Sequence, residues 1–206
     1  MADKEFLGDR RRTQEEEYFQ RREQELIARL QQRAREEATR GRLAERTGVA
    51  DQEILRDLEM LGFTPETVVL LHLVPLLQVA WAEGSVSERE QALIVEEARA
   101  RGIEAGSAAD SQLATWLATR PSADLFEGTL RAIAAILQVR PPEEREASRR
   151  ELLSACTAIA SASGGVLGVG KLSPQERNVL AHISQVLEHT RGPDARPSSA
   201  PFEGRP

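Results

Sequence analysis

Nowhere in this sequence do β-branched or aromatic residues alternate with polar ones over the length of a strand. Apolar residues recur instead at the spacing of one helix face, in blocks separated by capping and turn signals. That pattern points to an all-α chain. Aromatics make up only 4% of the residues, and Leu, Ala, Ile and Val carry the apolar positions, a composition that suits helix-on-helix packing.

Three zones follow from composition: 1–47, rich in Arg, Glu and Gln; 48–190, where apolar faces alternate with turns; and 191–206, a Pro-, Gly- and Ser-rich tail with no helix pattern, expected to be disordered. The first zone reads as a long exposed helix over about Arg12–Arg40. Opposite charges at Glu17–Arg21, Glu25–Arg29 and Arg33–Glu37 stand one helical turn apart. Its apolar stripe is thin, comprising Phe19, Leu26, Ile27, Leu30 and Ala34. So narrow a stripe suits a partner helix or a shallow groove, including self-association as a coiled coil. The alternative is a charge-stabilised helix docked lightly on its own domain.

In the second zone Asp51 is placed to cap a short helix carrying Ile54, Leu55, Leu58 and Leu61, ended by Gly62. Thr64-Pro65 reads as the start of a core helix, apolar nearly all round, that Pro75 should kink. Ser87 and Glu90 form a capping box for a helix ending at Gly102. Ser107 opens the next, with Leu113, Trp116 and Leu117, and another spans about 122–139. Pro141-Pro142 starts a helix to about Ser163, and Ser173 and Glu176 form a second capping box for the last one. The expected architecture is a compact bundle of about six or seven helices preceded by the long charged helix. Two segments echo each other: Val79–Glu90, and Ile159–Gly164 followed after a loop by Lys171–Glu176. Each reads as helix, glycine turn and capped helix, so the two hairpins could pack as a pseudo-symmetric pair.

The first hairpin resembles the TerB-like family, named for a tellurite-resistance protein, whose signature between two core helices is Ala-Asp-Gly, Ile or Val, Ser, two residues, Glu. Ala82, Gly84, Val86, Ser87 and Glu90 match, and Glu83 stands in place of the aspartate. The resemblance implies a small helical module linked to stress responses or membrane-associated complexes, with acidic residues proposed to bind metal in some members. Here the metal candidates are Glu83, Glu88 and Glu90. The same residues also have a purely structural reading, with Gly84 ending one helix and Ser87 and Glu90 capping the next.

Several activities are disfavoured on chemical grounds. A formal net charge of −6 argues against nucleic acid as a partner. The longest apolar stretch, Val68–Ala82, is shorter than the roughly 20 residues a membrane span needs. Met1–Arg12 is charged and lacks the apolar centre of a signal peptide, and the single cysteine, Cys156, suits a reducing compartment, so a cytoplasmic location is expected. Gly165–Lys171 imitates a phosphate-binding loop, but Leu172 stands where magnesium needs Ser or Thr, and no strand precedes it. His72, His182 and His189 lie in no metal-ligand spacing. No nucleophile–base pair or converging acid pair is evident, so neither an enzyme nor a cofactor is expected.

Glu15–Leu26 is similar to the inhibitory helix of mitochondrial-type ATPase inhibitors. Glu17, Tyr18 and Phe19 match in kind, whereas the Gln-Leu pair of that family is split here into Gln24 and Leu26. The resemblance implies an enzyme or ATPase regulator acting through this helix. The sequence therefore supports first a non-enzymatic helical protein-interaction module, with Tyr18, Phe19, Leu26 and Leu30 as partner-binding residues. The metal-responsive TerB-type domain and the enzyme regulator stand as alternatives.

Overall fold

The computed structural model describes residues 2–163 and 172–189, with side chains described over 20–162 and 172–188. The expected tail 191–206, the glycine-rich loop Gly165–Lys171 and the side chains of Tyr18, Phe19 and His189 lie outside the described residues. Among the described residues every regular element is helical. The α-helices are α1 (Ala2–Thr47), α2 (Gln52–Met60), α3 (Val74–Ala80), α4 (Glu88–Ala100), α5 (Ala108–Ala118), α6 (Ala123–Gln138), α7 (Pro142–Ser163) and α8 (Pro174–His189). Two 3₁₀ helices flank α3, at Val68–Leu73 and Trp81–Glu83.

The chain divides into two compact units, Met1–Arg42 and Leu43–Pro206. The first is a helix, longer at both ends than the span of about Arg12–Arg40 read from charge spacing. Of the ion pairs expected along it, Glu25–Arg29 and Arg33–Glu37 do not close among the described residues; one contact that does form is Gln32 Nε2 donating to Glu36 Oε1 at 2.9 Å. Exposed pairs gain little over water once the entropy of fixing two long side chains is counted.

The second unit begins inside the last turn of α1, because Leu43 is fully buried. Its first cap is local: Asp51 Oδ1 accepts from the amides of Glu53 and Ile54 at 2.8 and 3.4 Å. Ile54, Leu55 and Leu58 are buried along α2. The Thr64 region differs from expectation. Thr64 does not cap a helix; its amide donates to Thr67 Oγ1 at 2.9 Å, closing a turn. The chain then runs through the 3₁₀ helix Val68–Leu73 into α3, and Pro75 sits in the first turn of α3 rather than kinking a continuous helix. A proline is tolerated there because a first-turn amide has no intrahelical acceptor.

Val74, Pro75, Leu76, Leu77, Val79 and Ala80 are all buried, and α3 packs against α6, α7 and α8. Burying each such leucine contributes about 1.5–3 kcal/mol. α4 packs on α7, and α3 on both α7 and α8, so the two echoing hairpins are packed side by side. Their caps match in geometry. Glu90 Oε2 accepts from the Ser87 amide at 2.8 Å, and Glu176 Oε2 from the Ser173 amide at 2.7 Å. No described helix is long and apolar enough to cross a membrane.

Candidate functional site

On α1, Leu26 and Leu30 fall one turn apart on one face, with Ile27 beside them. They are 58%, 56% and 47% exposed in a helix otherwise dominated by charge. Leaving three large aliphatic side chains in water on neighbouring turns gains nothing for the fold, since burying each is favourable.

The turn between α3 and α4 is built by local chemistry. Gly84 takes a left-handed conformation with φ of 89°, and its amide donates to the Trp81 carbonyl at 3.1 Å. Ser87 then caps α4: its Oγ accepts from the Glu90 amide at 3.3 Å and donates to Glu90 Oε2 at 2.7 Å. Glu90 is buried, 3% exposed, whereas Glu83 and Glu88 are exposed. Burial pushes the Glu90 carboxyl above its ordinary range, its hydrogen bonds with Ser87 pull it back down, and the negative charges of Glu176 and Glu83 push it up further. The three glutamates are thus not equivalent, because one is committed to a cap. Among the described residues no group of three His, Cys, Asp or Glu side chains could hold a metal ion.

A third site was not anticipated. The 3₁₀ helix Val68–Leu73, the end of α1, the end of α4 and the end of α6 wall a cleft of about 390 Å³. Val68, Leu71 and Ile136 give it an apolar floor, and Arg46, Arg101 and Arg140 give it a basic rim. His72 also lines it. Desolvation holds this imidazole below its ordinary pKa, the Arg101 and Arg140 guanidiniums lower it further, and the Glu151 carboxylate opposes them. His72 is therefore neutral at pH 7. In the sequence His72 lies in no metal-ligand spacing, and the three arginines give no signal, because they come from well-separated parts of the chain.

Cys156 is fully buried, and desolvation pushes its thiol up to about 12, which leaves it protonated and unreactive. His182 Nε2 and the Glu127 carboxylate pair at 2.9 Å between α8 and α6, a half-exposed bridge away from the cleft. Protein-family models, curated proteins and solved structures give no match to this chain.

Proposed function

We propose that this chain is a non-enzymatic helical interaction module whose binding face is the stripe of α1 containing Leu26, Ile27 and Leu30. The observation that carries the reading is the exposure of those three side chains. The partner it fits is a protein with an apolar groove or helix flanked by mixed charge, because the stripe is bordered by Arg22, Glu23, Glu25 and Arg29. Tyr18 and Phe19 belong to the same proposal as aromatic anchors about two turns upstream of Leu26. The TerB-like reading of the bundle, a stress-response role and a cytoplasmic location are part of this proposal. They are supported by the helix–glycine turn–capped helix at Val79–Glu90 and by a lone, buried thiol.

The test is capture of partners by the full chain and by a Leu26→Glu/Leu30→Glu variant, with sedimentation velocity on both. Glutamate is a good helix former, so α1 persists while the stripe is lost. The reading expects a protein captured by the parent chain and lost by the variant. An identical set of captured proteins, or none, would overturn it. A parent dimer that becomes monomeric in the variant would put a second copy of this chain in the partner's place.

A further inference from the structure

The cleft beside His72 has the composition of a ligand site. Such sites span about 300–1,000 Å³, are mostly apolar and hold a few fixed polar groups; this one, at about 390 Å³, belongs at the small end. Its three guanidiniums are differently committed. Arg101 Nε meets Glu97 Oε1 at 2.8 Å, and its Nη2 meets Glu151 Oε1 at 3.3 Å. Arg140 Nη1 donates only to the Ser148 hydroxyl, at 3.2 Å, and faces no carboxylate at ion-pair distance among the described residues. Arg46 is exposed on the last turn of α1 and likewise has no carboxylate at that distance. Both carboxylates at ion-pair distance go to Arg101, so Arg46 and Arg140 are the guanidiniums left open at the rim.

We propose that this cleft binds a small amphipathic carboxylate, with its head at Arg46 and Arg140 and its apolar part on Val68, Leu71 and Ile136. The guanidinium fork matches a carboxylate bidentately. Neutral His72 adds one ring N–H and one acceptor nitrogen without adding charge.

The experiment is calorimetric titration of the full chain with octanoate. 1-Octanol supplies the same tail without charge, and acetate the charge without the tail. Octanoate should bind at one saturable site, with both comparators weaker by about tenfold or more, the loss expected when a charge-assisted hydrogen bond or the apolar contact is removed. Arg46→Gln and Arg140→Gln should each weaken octanoate by about tenfold. Arg46 is exposed, so its variant tests the rim without risk to the fold, and circular dichroism checks both. The His72 ring proton should shift in the NMR spectrum on saturation. Absence of saturable binding by octanoate, hexanoate and decanoate overturns the proposal. So does unchanged affinity in Arg46→Gln, a perturbation confined to His182 or His189, or tighter binding of octyl phosphate than of octanoate.

Discussion

The indole N–H of Trp81 donates to the main-chain carbonyl of Trp116 at 2.9 Å. α5 ends at Ala118, so the Trp116 carbonyl is one of the last four of its helix and has no intrahelical donor. Trp81 supplies that donor from the turn within the first hairpin, while Phe63 packs edge-on against the Trp116 ring with centroids 6.1 Å apart. One side chain therefore joins the hairpin to α5 and satisfies a helix terminus.

Trp81→Phe keeps an aromatic ring in the core and removes only the donor and part of the volume. The orphaned carbonyl should cost about 1–3 kcal/mol. Urea denaturation of the variant, followed through Trp116 as the one remaining tryptophan, measures this. A loss below about 0.5 kcal/mol would mean that water reaches the carbonyl and replaces the indole.

Glu90 separates the capping role from the charge. Its folded pKa is raised, so proton binding favours the folded state. That contribution is complete below the ordinary value of 4.5 and is lost as pH rises through the folded pKa. At neutral pH the buried carboxylate is thus a liability that the cap offsets only in part. Glu90→Gln keeps an oxygen for the Ser87 amide and hydroxyl and removes the charge, so its stability near pH 7 should equal or exceed that of the parent. Glu90→Ala should lose about 1 kcal/mol. The ordering of melting temperatures decides the matter: glutamine falling with alanine would show that ionisation itself holds the turn.

The caps were legible in the sequence because each is complete within four residues. Asp51, Ser87 with Glu90, Ser107, and Ser173 with Glu176 all cap where they were expected. Pro75 was misplaced for a related reason. A segment apolar on nearly every side carries no periodicity, so nothing in Val68–Leu73 announces 3₁₀ rather than α geometry. The basic cleft was invisible because Arg46, His72, Arg101 and Arg140 meet only through packing of α1, the 3₁₀ helix, α4 and α6. The stripe of α1 was legible, since Leu26, Ile27 and Leu30 interrupt a charged run.

Gly128 of α6 lies against the Leu61 side chain at the end of α2. A Cβ built there would stand 2.6 Å from Leu61 Cδ2. In the parent background Gly128→Ala should therefore destabilise, because the half-buried Leu61 must shift despite a helix-propensity gain of about 1 kcal/mol. In a Leu61→Ala background the clash is absent, and the same substitution should stabilise by about that amount. A double-mutant cycle by thermal denaturation reads the change of sign. Equal effects in both backgrounds would show that Leu61 moves aside at no cost.

His72 gives the chain an acid-sensitive point at the cleft. Desolvation, with Arg101 and Arg140 reinforcing it, lowers the folded pKa below the 6.5 of the unfolded chain. Between those two values the unfolded chain binds more protons than the folded one, so stability rises with pH across that window. Read downward, the contribution is intact above about 6.5 and is lost as pH falls through the folded pKa. His72→Gln cannot titrate, so its stability should fall less than the parent's between about pH 7 and pH 5. Denaturation midpoints for both proteins across that range provide the comparison. Converging or crossing curves on acidification place the penalty on His72; parallel curves would show that the cleft admits enough water to hydrate the imidazolium.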